Sequence, residues 1–171
     1  MSRTLVLGGA RSGKSAHAED LFGAGAVRYV ATARRLPGDD EWDARIAAHR
    51  ARRPPSWLTI EDADPVAVLR EPGPPLLVDD VGTWLTAVLD DTGAWAAPSP
   101  LVGERTAGLV AAVAACPSQL VLVSSEVGMG VVPATRAGRL FRDELGALNA
   151  ALAEVCDEVL LLVAGLPLRL K

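Results

Sequence analysis

Short apolar runs alternate with helical stretches along the whole chain. Thr4 to Leu7 is apolar, includes β-branched residues and runs into two glycines, which predicts a buried strand. Ser15 to Phe22 predicts a helix, with good helix formers at Ala16, Ala18, Glu19 and Leu21. Val27 to Ala33 predicts a second strand. Pro37-Gly38-Asp39-Asp40 predicts a turn, followed by a helix over Glu41 to Arg53 that Pro54-Pro55 stops. Trp57 to Ile60 predicts a strand, and Asp64 to Leu69 a short helix. Leu76-Leu77-Val78 is a fully apolar strand ending at Asp79-Asp80, with a helix from Gly82 to Leu89 behind it. Ala96 to Pro100 reads as a loop, Glu104 to Ala115 as a helix and Leu120 to Val123 as a strand. Gly128 and Gly130 mark a loop before a long helix with Phe141, Leu145, Leu148, Leu152 and Val155 at helical spacing. Val159 to Val163 predicts a strand, and Gly165 a turn into an antiparallel partner, Leu166 to Leu170.

This alternation predicts an α/β fold, a mostly parallel sheet with helices on both faces and an antiparallel C-terminal strand. With no linker, repeat or low-complexity tract, residues 1–171 read as a single domain. Half of the residues are hydrophobic and 22% are charged, which excludes disorder as the main state. A net charge of −4 argues against a general nucleic-acid binder. No apolar run is long enough for a membrane span or a signal peptide, so the expectation is a cytoplasmic protein. Cys116 and Cys156 sit in apolar surroundings, with no metal or disulfide spacing, and read as buried free thiols.

Of the 17 basic residues only Lys14 and Lys171 are lysine. Lys14 stands in Gly8-Gly9-Ala10-Arg11-Ser12-Gly13-Lys14-Ser15, which satisfies G-x-x-x-x-G-K-[ST] between a predicted strand and a predicted helix. Glycines let successive backbone N–H groups turn toward phosphate oxygens. Lys14 suits the β- and γ-phosphates, and Ser15 a Mg2+ ion. Such loops usually work with an acidic residue at the end of a second strand. Asp79 is the better match and Glu126 another, while Asp80 remains an alternative because alternation does not separate adjacent acids. An acidic helix cap is the plain reading of the same residues.

His17 lies one turn into the first helix, where packing explains it. His49 lies among Arg45, Arg50, Arg52 and Arg53. Neighbouring cations favour a neutral, nucleophilic imidazole, and arginines bind phosphate oxygens. Attack at an α-phosphate would give a phosphoramidate. On spacing alone a solvated basic helix face explains the segment better.

Together these segments resemble the bifunctional adenosylcobinamide kinase/adenosylcobinamide-phosphate guanylyltransferase family of cobalamin biosynthesis. The resemblance rests on Leu-Gly-Gly-Ala-Arg-Ser-Gly-Lys-Ser (7–15), Tyr-Val-Ala-Thr-Ala (29–33) and Arg-Ile-x-x-His with Arg-Pro (45–54). It continues through Trp-x-Thr-Ile-Glu (57–61), Leu-Val-Asp (77–79), Thr-Trp-Leu-Thr (83–86), Glu-Val-Gly-Met-Gly-Val-Val-Pro (126–133) and residues 139–149 to the closing Gly-Leu-Pro-Leu-Arg-Leu-Lys. It implies a RecA-like P-loop fold. It also implies two reactions: phosphorylation of adenosylcobinamide by ATP or GTP, then transfer of GMP from GTP, through a guanylyl-histidine, to adenosylcobinamide phosphate. The implied nucleophile is His49. The implied nucleotide contacts are Gly8, Gly9, Ala10, Arg11, Ser12, Gly13, Lys14, Ser15, Arg50, Ala51, Arg52, Arg53, Glu61 and Asp79, with Mg2+ on Ser15 and Asp79. It further implies a homo-oligomer, a trimer.

Ser125, Asp80, Gly82 and Ala87 depart from the family pattern near the nucleotide and corrinoid region, which leaves substrate handling open. The residues also fit a monofunctional small-molecule P-loop kinase or a non-catalytic GTP-binding regulator. No motif marks the corrinoid site, and the 4% aromatic content favours one shared between subunits or open to solvent.

Overall fold

The structure, a computed structural model, describes residues 1–23, 25–34, 47 and 53–171. The turn expected at residues 37–40 lies outside them, as does the helix expected over Glu41 to Arg53 apart from Ala47 and Arg53.

In chain order the elements are β1 (Arg3–Gly8), α1 (Lys14–Asp20), β2 (Arg28–Ala31), β3 (Leu58–Ile60), α2 (Pro65–Leu69), β4 (Leu76–Asp79) and α3 (Val81–Asp91). Then come α4 (Pro100–Ala115), β5 (Leu120–Ser125), α5 (Arg136–Val155), β6 (Glu158–Val163) and β7 (Leu166–Arg169). The strands form one sheet in the order β3-β2-β4-β5-β1-β6-β7. Every pair is parallel except β6 with β7.

Alternation splits the strand residues between two cores. Leu5, Leu7, Leu76, Val78, Leu120, Leu122 and Val159 face one cluster, shared with buried residues of α2, α3, α4 and α5. Val6, Leu77, Val121, Val123, Leu160 and Leu162 face another, with Ala18 of α1, Phe22, Tyr29 and Trp57. Parallel strands buried on both faces read as unbroken apolar runs, which is why β4 and β5 carry no polar alternation. The predicted fold class is therefore the observed one.

Several boundaries differ from the expected ones. The second strand ends at Ala31, and Thr32 just beyond it donates its hydroxyl to the Asp80 carbonyl at 2.7 Å. Trp57 lies outside β3 and packs edge-on to Phe22, with ring centroids 5.8 Å apart. The helix expected from Glu104 begins at Pro100, which occupies the first turn, where a missing N–H costs nothing. Cys116 and Cys156 are buried free thiols. Burial pushes the Cys156 thiol up to about 11. Lys171 caps the end of α5, donating from Nζ to the carbonyls of Ala153, Glu154 and Cys156 at 3.0, 3.1 and 2.7 Å.

Candidate functional site

The carboxyl edge of the sheet gathers the chemistry. β1 ends at Gly8, and the loop to Gly13 folds back over it. A Cβ on Gly8 would stand 2.3 Å from Ser12 Oγ, so a larger residue there would have to displace the Ser12 side chain. Gly13 starts α1 at φ +90°, which again favours glycine. Arg11, exposed at the loop apex, adopts φ +57°, uncommon for a residue with a side chain. The loop is tied at both ends. Glu126 N–H donates to the Gly8 carbonyl at 3.0 Å, and Gly165 N–H to the Ser12 carbonyl at 2.9 Å. Lys14 Nζ lies 3.4 Å from the Gly9 carbonyl, curled over the loop where phosphates would lie. Ala10 and Gly9 complete the rim.

From Lys14, α1 packs against β1, β5 and β4. That crossing brings Ser15 to the end of β4, where its Oγ lies 3.3 Å from Asp79 Oδ1. Asp79 Oδ2 accepts from Tyr29 Oη at 2.7 Å. Tyr29 is 2% exposed, and burial, with the Asp79 charge behind it, pushes its phenol far above the usual range. The phenol therefore stays protonated and donates. The Arg53 guanidinium carbon lies 3.2 Å from the centroid of the Tyr29 ring, a cation–π contact that partly offsets this shift. Arg53 Nη1 also donates to Thr59 Oγ1 at 3.3 Å.

Asp80, the alternative acid, does different work. Its Oδ1 accepts from Thr83 N–H at 2.7 Å as the N-cap of α3, and its Oδ2 faces Ser125 Oγ at 3.4 Å. Thr32, Thr83 and the Asp80 carbonyl close a small hydroxyl network around it. Glu126 turns its carboxylate onto the N–H of Gly128 at 2.6 Å. The two residues that strand alternation left equivalent are thus separated by geometry.

Ser15 and Asp79 present hard oxygen donors side by side, which suits Mg2+. That ion takes one or two protein oxygens and completes its shell with phosphates and water. Among the described residues no group of three or more His, Cys, Asp or Glu could hold a metal. Glu61 stands exposed at the carboxyl end of β3, four strand spacings and about 19 Å from β1. The structure does not bring it to the phosphate loop. His49, Arg50, Ala51 and Arg52 lie outside the described residues. His17 is half-buried on α1, its Nε2 enclosed.

Two features have no counterpart in the sequence reading. Tyr29 entered it only within a family motif, yet it joins Arg53 to Asp79. A cavity of about 470 Å3 also opens at the ends of β2 and β3, bounded by Thr32, Arg34, Asp64, Trp84 and Arg105. Its walls come from four separate segments, so no local pattern announces it.

Comparison with known proteins shows the family. Residues 4–170 match the family model described as cobinamide kinase / cobinamide phosphate guanyltransferase. The chain belongs to this family. It is accordingly an enzyme, a transferase of cobalamin biosynthesis. The bifunctional adenosylcobalamin biosynthesis protein CobP of Pseudomonas aeruginosa is 48% identical, over 99% of this chain and 97% of that protein. CobU of Escherichia coli is 41% identical, over 98% of both chains, and CobU of Salmonella typhimurium 42% identical, again over 98% of both. Among solved structures, an ATPase from a bacterial type III secretion system shares the fold, with a TM-score of 0.55 at 12% identity. This family member covers half of that ATPase, which covers 94% of it. The likeness is one of fold, and it agrees with the RecA-like sheet expected from the sequence. Among the described residues, no helix is long and apolar enough to cross a membrane.

Proposed function

We propose that this single domain phosphorylates adenosylcobinamide and then guanylylates the product, the two steps using one nucleotide site. The observation that carries the reading is Lys14 curled over its own loop onto the Gly9 carbonyl while the adjoining Ser15 bonds Asp79, in a chain of this family. In the kinase step the aminopropanol hydroxyl oxygen of adenosylcobinamide attacks the γ-phosphorus of ATP or GTP. The bond from that phosphorus to the β–γ bridging oxygen breaks, the nucleoside diphosphate leaves, and the hydroxyl proton passes to solvent or phosphate. Gly8 to Gly13 offer backbone N–H groups to the phosphates, and Lys14 offers a compact positive charge to the β- and γ-oxygens. Ser15 and Asp79 would hold Mg2+, which when bound neutralises charge on the β- and γ-oxygens.

In the second step a ring nitrogen of His49 attacks the α-phosphorus of GTP. The bond to the α–β bridging oxygen breaks and pyrophosphate leaves. A phosphate oxygen of adenosylcobinamide phosphate then attacks the same phosphorus, the P–N bond breaks, and adenosylcobinamide-GDP forms with free His49. The position of Arg53 supports this. It is held on Tyr29 beside Asp79, and the four residue steps from it to His49 span at most about 14 Å of chain. Arg50, Arg52 and Arg53 would steady the phosphates. The nucleoside end would lie toward Glu61 and the cavity bounded by Trp84, whose volume is ample for a base and ribose. Serving both steps with one nucleotide requires the nucleotide or the His49 segment to move. A cytoplasmic location completes the reading, as does a homo-oligomer, which the exposed Leu166 and Leu168 of β7 and Leu170 just beyond it support.

Product analysis tests it. With GTP and adenosylcobinamide, the wild-type protein should yield adenosylcobinamide-GDP. Replacing His49 by Ala should stop the sequence at adenosylcobinamide phosphate, and replacing Lys14 by Ala should abolish both products. If His49→Ala still makes the GDP adduct at the wild-type rate, the histidine is not the nucleophile.

A further inference from the structure

The loop between β5 and α5, which starts beside the phosphate loop, displays three apolar side chains to solvent. We propose that Met129, Val131 and Val132 are the docking face for the macrocycle of the acceptor, holding its hydroxyl arm over the γ-phosphate. The assignment rests on the kinase reading above and supplies the corrinoid with a place.

Topology puts the loop where an acceptor has to arrive. β5 lies between β1, which carries the phosphate loop, and β4, which carries Asp79. A chain leaving the carboxyl end of β5 therefore emerges between Lys14 and Asp79. Its first residue is bonded to the phosphate loop, through Glu126 N–H and the Gly8 carbonyl at 3.0 Å.

The loop is held rather than loose. Asn149 of α5 fixes the strand end, accepting from Ser124 Oγ at 2.6 Å and donating to the Ser125 carbonyl at 3.1 Å. Glu126 Oε1 accepts from Gly128 N–H at 2.6 Å. At the far end Arg139 Nη1 donates to the carbonyls of Pro133 and Ala134 at 2.9 and 2.8 Å. Gly138 lets Pro133 fold against α5, since a Cβ there would stand 2.8 Å from the proline ring. Thr135 caps the helix.

Between these anchors the side chains sort by burial. Val127 packs against the core. Met129, Val131 and Val132 are 77%, 95% and 59% exposed and do little for the fold described. Apolar side chains displayed on an anchored loop call for an apolar occupant. A corrinoid has broad faces fringed with methyl groups, and aliphatic side chains can cover such a face without aromatic stacking. Methionine adds a flexible, polarisable contact suited to an irregular rim.

The test is a Met129→Ser/Val131→Ser double variant beside the wild type, with adenosylcobinamide as the probe. The KM for adenosylcobinamide should rise about tenfold or more, while kcat at saturating corrinoid and the KM for GTP stay within about twofold. Val131→Ile should keep the wild-type KM. Equilibrium dialysis of the coloured corrinoid should show the same loss of retention. If wild-type protein retains no corrinoid, the kinase reading itself fails. Retention that is normal in wild type and unchanged in the double variant overturns the loop assignment alone. A smaller sedimenting species for the double variant than for wild type means that the loop packs between copies of the chain, which also overturns it.

Discussion

Lys14 occupies the one interior position where this chain sets aside its habit of using arginine. A phosphate loop of this curvature admits a slim point charge, whereas the planar guanidinium is broader and needs a wider approach. Lys14→Arg should therefore lose phosphoryl transfer by about a hundredfold or more with an unchanged melting temperature, a split that steady-state kinetics and calorimetry read together. Tyr29 offers a finer dissection, because its hydroxyl serves Asp79 and its ring serves Arg53. Tyr29→Phe should weaken Mg2+-dependent nucleotide binding severalfold in titration calorimetry, while Tyr29→Leu should in addition slow guanylylation. Equal effects of the two would mean that Arg53 gains nothing from the ring. Cys156 makes a third prediction. Its thiol is held up to about 11 by burial, so folded protein keeps a proton that the unfolded chain gives up from about pH 9. Stability should fall across pH 9 to 11, and Cys156→Ala should flatten that fall in denaturation curves. The phosphate loop was legible in the sequence because eight consecutive residues carry it. No local pattern pairs Tyr29 with Arg53, which stand 24 positions apart in the sequence.

The elements show the same contrast between local and distant signals. Strands β1, β4 and β5 were read nearly to their ends because strands buried on both faces are apolar throughout. The start of α4 was misplaced because Ser-Pro reads as a loop ending, yet here the proline sits inside the first helical turn. Asp80 could not be separated from Asp79 by alternation. The N-cap of α3 claims Asp80, leaving Asp79 to face Ser15. Asp80→Ala should accordingly cost about 1 kcal/mol as a lost cap. That is a melting-temperature drop of about 2–4 °C for a chain of this size, measurable by scanning calorimetry. The same variant should keep nucleotide affinity, whereas Asp79→Ala should lose much of it. Reversed effects would reassign the two acids.

At the scale of the whole molecule, the sheet order places one strand between the phosphate loop and Asp79, and α1 bridges the gap. The phosphate loop, Ser15 and Asp79 lie along the carboxyl edge this creates, as is usual for open parallel sheets. Alternating strands and helices foretold the sheet but not its order, which depends on pairings between strands distant in sequence. The cavity beside Trp84 went unseen for the same reason. On the proposed reading a second nucleophile, His49, works on the nucleotide that this edge holds. Incubation with GTP labelled at the α-phosphate, without any corrinoid, tests it most directly. Wild-type protein should carry an acid-labile, base-stable label, located at His49 by peptide mapping, absent in His49→Ala and released on adding adenosylcobinamide phosphate. A wild-type protein that stays unlabelled, or a label that persists in His49→Ala, would contradict it.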